Sequence, residues 1–117
     1  MPKNKKTIID GLGYEIDLEQ VGSKLKITTT ATPNGIALAR FDVDIVKAFL
    51  DRAISLPRSE PAQEPLSGSV ILSFNEGTPP FIRLEDGGDA IDIHPASWLP
   101  LSLELALFAP WLNVEAA

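Results

Sequence analysis

The sequence predicts an α+β fold in which two strand–strand–strand–helix units pack into one domain with an antiparallel sheet. Three observations lead to this class: segments that alternate apolar and polar residues, tight-turn dipeptides that contain glycine, and two apolar segments of helical character. A length of 117 residues suits a single domain. We expect a basic arm at 1–13, a first unit at 14–55, a Pro-rich connector at 56–68 and a second unit at 69–112.

The first unit opens with a predicted hairpin. Its first strand alternates the apolar residues Tyr14, Ile16 and Leu18 with the acidic residues Glu15, Asp17 and Glu19. Gly22 followed by Ser23 suits a type II′ turn, which needs glycine first. A turn centred there pairs Leu18 with Ile27 on one face and Glu19 with Lys26 on the other. The exposed face of the hairpin is then expected to carry a row of carboxylates.

The remainder of the first unit is predicted as a turn, a third strand and a helix. Thr32–Gly35 has proline at its second position and glycine at its fourth, as in a type I turn. We expect a strand over Ile36–Arg40. Apolar residues then recur at helical spacing over Phe41–Ile54, with Asp42 or Asp44 available as the helix cap.

The second unit follows an exposed connector, because residues 57–68 contain three prolines and little to bury. Residues 70–74 alternate in the manner of a strand. Gly87-Gly88 then centres a second hairpin between residues 81–84 and 90–94. This register pairs Leu84 with Ile91 and Ile82 with Ile93, and it sets Arg83 opposite Asp92.

The C-terminal segment admits two interpretations. Leucines at 101, 103, 105 and 107 alternate as in a strand, yet no β-branched residue occurs between His94 and Asn113. Leucine, alanine and glutamate favour a helix, and Ser97 with Pro100 resembles a helix start. We predict a helix over Ser97–Ala109, with part of its apolar surface exposed as a patch for a partner.

Composition limits the classes of function. The chain has no cysteine, which excludes thiolate metal sites and fits a cytoplasmic protein. The net charge is −6, and from Thr7 onward seven cations face sixteen acids. A nucleic-acid surface is therefore not expected, since phosphate binding needs clustered lysine and arginine. We expect neither a secretory signal nor a membrane-spanning segment, because no long apolar run occurs.

Candidate chemistry is sparse. His94 is the single histidine, and Asp92 shares its expected strand face, but no nucleophile motif accompanies the pair. Four acids surround the second glycine turn without the spacing of a calcium loop: Glu85, Asp86, Asp89 and Asp92. We therefore predict no catalytic residue, cofactor or metal ion, and interpret these acids as a solvated turn.

The leading hypothesis is a non-enzymatic interaction module that occludes another protein, as inhibitors, immunity proteins and accessory factors do. Acids on the hairpin would steer a basic partner and aromatic residues would anchor it. The predicted partner-binding residues are Glu15, Asp17, Glu19, Trp98 and Trp111. Whether the chain forms a homodimer is left open by the sequence. The layout also resembles small folds that bind single-stranded nucleic acid, and a ligand-binding domain or enzyme centred on His94 is the other alternative.

Overall fold

The computed structural model describes residues 5–9, 15–55, 62–66 and 68–112. In chain order the elements are β1 (Lys5–Ile9), β2 (Glu15–Val21), β3 (Lys24–Thr29), β4 (Ile36–Leu38), α1 (Arg40–Ser55), β5 (Ala62–Pro65), β6 (Val70–Asn75), β7 (Phe81–Asp86), β8 (Asp89–Ile93), α2 (Pro95–Phe108) and a short 3-10 turn (Ala109–Trp111). The strands form two antiparallel sheets, ordered β1-β2-β3-β4 and β5-β6-β7-β8. The predicted α+β class, with two sheet-and-helix units, is confirmed.

Both predicted hairpin registers are present. Leu18 faces Ile27 and Glu19 faces Lys26 in the first sheet. In the second sheet, Arg83 faces Asp92, and the aliphatic pairs on either side of it are also in the expected register. Buried residues alternate with accessible ones along β2, β3, β6 and β7, so each sheet turns one apolar face inward.

Three turns place glycine where the backbone needs a positive φ. Gly22 and Gly87 each occupy the first turn position of a two-residue hairpin with φ near 62°. Gly35 has φ 73°, and its N–H donates to the carbonyl of Thr32 at 3.1 Å, which closes the expected four-residue turn. A Cβ at Gly35 would lie 2.5 Å from the Cγ2 of Thr28. Glycine is therefore required there by sterics as well as by φ.

Each unit has one strand more than the sequence predicts. Strand β1 lies within the expected basic arm, and β5 lies within the expected connector. Of the five residues in β1, Ile8 alone is buried, so the strand lacks an alternating apolar signal. Strand β5 has four residues and ends in Pro65. Both strands occupy sheet edges, where pairing with one neighbour maintains a strand that buries little side chain.

The helices differ from the prediction at their starts. Helix α1 begins at Arg40, so the third predicted strand is shorter than expected. Asp42 lies inside the first turn, where it is buried, and not at the residue that precedes the helix. The predicted C-terminal helix is present as α2, but it begins at Pro95. Proline suits the first helical position because its missing N–H would have no partner there. Pro100 consequently lies inside the helix.

One hydrophobic cluster joins the inner faces of both sheets and both helices. The helices pack against each other, and Thr32 links the two units through a hydrogen bond of 2.5 Å from its Oγ1 to the carbonyl of Ala90. A polar bridge also crosses the helix pair. Lys47 Nζ donates to Asp51 Oδ2 at 2.8 Å, and the buried hydroxyl of Ser102 donates to the other carboxylate oxygen of Asp51.

Replacing Gly35 by alanine should lower the free energy of unfolding by about 2–3 kcal/mol, because the left-handed backbone is strained by a Cβ and the Cβ has no room. Gly88→Ala is the matched control: its backbone has no positive φ, and nothing lies within 4 Å of the added Cβ. Urea unfolding of both variants measures the difference. Equal stability of the two variants would contradict the turn geometry.

The polar bridge predicts a dependence of stability on acid. The hydrogen bond from Lys47, followed by that from Ser102, holds the pKa of Asp51 below its ordinary value of 3.8. A carboxylate with a lower pKa in the folded state stabilises the protein above 3.8, and this contribution is lost as the pH falls below 3.8 and passes the folded pKa. The contribution is at most about 1 kcal/mol, because the side chain is half exposed.

The stability difference between the wild type and Asp51→Asn should therefore be constant near neutral pH and shrink below 3.8. Urea unfolding at about pH 3 and about pH 7 measures it. Ser102→Ala should reduce the same acid-dependent difference, since it removes one of the two hydrogen bonds. A difference that is equal at both pH values would count against the bridge.

Candidate functional site

The outer face of α2 is apolar. Leu99, Leu103 and Leu107 follow one another at four-residue spacing and are 53%, 56% and 53% exposed. We call these three residues the leucine stripe; at 1.5 Å per residue it is about 12 Å long. The opposite face of α2 is buried in the core through Trp98, Leu101, Leu105 and Phe108. Helix α2 is therefore apolar on both sides, which is unusual for a helix at a protein surface.

A groove runs between α2 and the edge strand β1. Its volume is about 480 Å³, and its lining includes Ile9, Leu99, Pro100 and Leu103. Ile9 is itself 57% exposed, so the apolar surface continues from the leucine stripe onto the strand. We call this feature the β1–α2 groove. It joins an apolar helix face to the edge of a sheet, where main-chain groups can be available.

The hydrogen bond between Ser97 and Ile9 reveals which backbone groups of β1 face the groove. Ser97 Oγ, on α2, donates to the carbonyl oxygen of Ile9 at 3.0 Å. The N–H and C=O groups of one strand residue point to the same side, and successive residues alternate. The main-chain groups of Lys5, Thr7 and Ile9 therefore point toward the helix side, whereas those of Lys6 and Ile8 point toward β2.

Positive and negative charges are balanced at the β1–α2 groove. Lys6 Nζ lies 3.9 Å from Glu104 Oε2, and the Lys6 side chain keeps 46% of its surface exposed. Lys5 is exposed on the outer face of β1, opposite Glu19 of β2. Two lysines thus lie beside two acids at this edge of a protein whose net charge is −6. A neutral or acidic ligand would meet less repulsion here than elsewhere on the molecule.

The two predicted tryptophan anchors have different outcomes. Trp98 is 7% exposed; its Nε1 donates to the carbonyl of Ile93 at 2.9 Å, and its ring lies against Phe74. We therefore correct its assignment from partner-binding to core, because the helix turns this residue inward. Trp111 belongs to the 3-10 turn, but its side chain lies outside the described part of the structure. Its role as an anchor stays a prediction.

The acidic row is present on the outer face of β2, but cations surround it. Three acids, Glu15, Asp17 and Glu19, share that face with Lys5, Lys24 and Lys26 of the flanking strands. Thr7 Oγ1 also donates to Asp17 Oδ1 at 2.7 Å. Three acids against three lysines leave the outer face of the first sheet without net charge. Its electrostatic attraction for a basic partner is correspondingly weak.

His94 lies in a side-chain cluster on the outer face of the second sheet. Its ring centroid is 6.1 Å from that of Phe81, and the Arg83 guanidinium lies 5.4 Å from the same Phe81 ring. Arg83 is held by Asp92 through hydrogen bonds of 2.6 and 3.2 Å, and these raise the pKa of Arg83. Asp92 therefore pairs with Arg83 across the strands, on the face of the sheet that it shares with His94.

The acidic turn has ordinary partners. Ser69 Oγ donates to Asp86, and Asp92 is taken up by Arg83. Across the described ranges, no three histidine, aspartate or glutamate side chains converge in a way that could hold a metal ion.

Helix α1 and strand β5 form a second, smaller groove. Its volume is about 330 Å³, and its lining includes Phe41, Ile45, Arg52 and Glu64. Phe41 is exposed, but Asp44 and Arg52 place charges on the same helix face.

The leucine stripe is the surface that the sequence predicted only in part. Its signal is the four-residue spacing of 99, 103 and 107, which becomes meaningful once the segment is assigned as helix.

No protein family matches this chain, and no curated protein is significantly similar to it. Within the described residues, neither helix has the length and apolar character needed to cross a membrane.

Trp98→Phe should lower the free energy of unfolding by about 1–3 kcal/mol, because the buried carbonyl of Ile93 loses its donor. Leu107→Ala, on the exposed side of the same helix, should change stability by no more than about 0.5 kcal/mol. Urea denaturation compares the two variants. If Trp98→Phe leaves the free energy of unfolding unchanged, the indole does not make a stabilising hydrogen bond to the Ile93 carbonyl.

Proposed function

We propose that this chain is a small acidic protein–protein interaction module that acts by occluding a surface of its partner, as inhibitors, immunity proteins and accessory factors do. The observation that carries the proposal is the leucine stripe. A surface helix normally presents polar residues to water, whereas α2 presents three half-exposed leucines beside an exposed Ile9. Contiguous apolar surface of this kind generally marks a site where another protein binds.

The energy available from this surface limits the complex. Burying a leucine completely contributes about 1.5–3 kcal/mol, so covering three half-exposed leucines and Ile9 contributes roughly 3–6 kcal/mol. Association itself costs an estimated 4–15 kcal/mol in lost translational and rotational freedom. The leucine stripe alone therefore supports weak binding. A tight complex needs additional contacts near the stripe, and the β1–α2 groove is the adjacent surface.

In this proposal the acidic row (Glu15, Asp17 and Glu19) steers a partner less strongly than the net charge of the whole protein does. A basic partner would approach the acidic body as a whole, because the net charge of −6 acts at longer range than one neutralised sheet face. A non-enzymatic role, a cytoplasmic location and a possible homodimer belong to the same proposal.

Binding of single-stranded nucleic acid receives less support. The outer face of the first sheet has equal numbers of acids and lysines. On the outer face of the second sheet, Arg83 is the one lysine or arginine among the described residues, and Asp92 neutralises it. Nucleic-acid surfaces need several unpaired cations to offset the phosphates. The ring of Phe81 could stack on a base, but the surrounding charge opposes the backbone.

The test is capture of partners by the tagged chain from its native cell extract, compared with Leu103→Glu. A carboxylate in the middle of the leucine stripe would have to be desolvated in a complex, so bound partner should fall about tenfold or more. Val21→Glu is the matched control, since Val21 is 52% exposed on the first sheet, away from α2. Circular dichroism verifies that both variants fold.

Quantitative mass spectrometry of the captured proteins measures the outcome. A protein retained by the wild type and by Val21→Glu, but lost with Leu103→Glu, would support the proposal. If Leu103→Glu retains the same proteins in the same amounts as the wild type, the leucine stripe is not the binding surface.

A further inference from the structure

We infer that β1 is a docking edge to which the partner adds an extended segment as a fifth strand of the first sheet, with apolar residues over the leucine stripe and an acidic residue opposite Lys5. The inference rests on the proposed function, because it specifies how a partner occupies the same surface. Peptide addition at a sheet edge combines main-chain hydrogen bonds with pockets for alternate side chains. The β1–α2 groove offers both kinds of contact.

The main-chain component is set by the alternation along β1. The bond from Ser97 Oγ fixes the Ile9 carbonyl toward α2, so the N–H and C=O groups of Thr7 and Lys5 point to the same side, away from β2. Among the described residues, no backbone group bonds the main chain of Thr7 from that side. One donor and one acceptor at Thr7, and another pair at Lys5, are thus positioned for an added strand.

Two of the other three sheet edges are less open. Strand β5 ends in Pro65, which has no N–H to donate. Strand β4 has only three residues and is followed at Arg40 by α1. Short strands, prolines and covering groups are the usual ways of preventing addition at an edge. Strand β1 has five residues and no proline.

Side chains at the groove determine the chemistry of the segment. The side chains of Lys6 and Ile8 lie on the inner face of β1, with Lys6 Nζ near Glu104, so residues placed opposite them would cover Leu99 and Leu103. Those positions of the added strand should be apolar. Lys5 lies on the outer face, where an acidic residue opposite it would form a cross-strand pair. The occupant is therefore an extended segment that alternates apolar residues with polar ones, including aspartate or glutamate.

A second copy of this chain fits the edge less well. Pairing β1 with another β1 would bring two more lysines, and no acid, to an edge that already has two lysines. Lysines on an edge strand are known to discourage such pairing. The same lysines favour a partner strand that carries acids. Charge complementarity thus selects an acidic–apolar segment of a different protein.

The test is selection from a displayed library of random peptides of about ten residues, which is long enough to form one strand. The library is selected against three baits: the wild type, Thr7→Pro and Thr7→Val. Proline removes the N–H that points into the groove and leaves the β1–β2 hydrogen bonds of Lys6 and Ile8 intact. Thr7→Val is the matched control, because it loses the side-chain bond to Asp17 but keeps the N–H.

Wild type and Thr7→Val should enrich the same alternating apolar peptides with aspartate or glutamate. Synthetic versions of these peptides should bind Thr7→Pro at least about tenfold more weakly, as expected for the loss of a main-chain bond and the clash of the ring with an added strand. Enrichment of no peptide by the wild type, or equal binding to Thr7→Pro, would overturn the inference.

A second measurement uses the wild type alone, so it does not require that the Thr7→Pro variant folds. Amide hydrogen exchange of the wild type, with and without a selected peptide, should show new protection at Lys5 and Thr7, whereas Lys6 and Ile8 are protected already by β2. Protection that does not follow this alternation would also overturn strand addition. Sedimentation velocity tests whether a second copy of this chain occupies the edge. A wild-type dimer that Thr7→Pro converts to a monomer would assign the edge to a second copy and would contradict binding of an acidic segment.

These outcomes separate the inference from the proposed function. If Leu103→Glu abolishes partner capture and Thr7→Pro leaves it unchanged, the leucine stripe binds the partner without strand addition. If neither variant affects capture, the surface itself is not used, and both proposals fail together.

Discussion

The fold depends on the packing of α1 against α2. Each four-stranded sheet has one apolar face, and each is followed by a single helix, so neither unit has enough elements to enclose a core of its own. Joining the helices creates one continuous cluster of buried residues that reaches both sheets. The polar bridge of Lys47, Asp51 and Ser102 crosses this helix pair and orients it. Buried Ser102 is tolerated there because its hydroxyl has partners on the other helix.

This packing also explains why α2 is apolar on two sides. Its inner face must complete the shared core, and Trp98, Leu101, Leu105 and Phe108 meet that need. Nothing in the core requires Leu99, Leu103 or Leu107, which point outward. Half-exposed leucines gain little stability for the isolated fold, while polar residues at the same positions would improve solubility. The leucine stripe is therefore explained by an interaction more readily than by folding.

The sequence predicted those elements in which a local pattern and burial agree. Hairpin registers were predictable because a slip by one residue would move Leu18 or Leu84 from the core to water. Strands β1 and β5 were not, because they are held by main-chain pairing at sheet edges and, of their described side chains, only Ile8 is buried. Trp98 was misassigned for a different reason. Its residue type is common in interfaces, and only the phase of α2 decides that it faces inward.

The candidate surface shows the same division between local and non-local information. The spacing of the leucine stripe is written in the sequence, but its exposure follows from which side of α2 the core occupies. The open edge of β1 could not be predicted at all, since it requires knowing that β1 is a strand, that it lies outermost, and that Ser97 bonds to Ile9. Once these are combined, the apolar helix face and the outward main-chain groups fall on one groove. An extended segment can contact both at once. Because burial of the leucine stripe alone supports only weak binding, the main-chain hydrogen bonds would add the affinity that the stripe lacks.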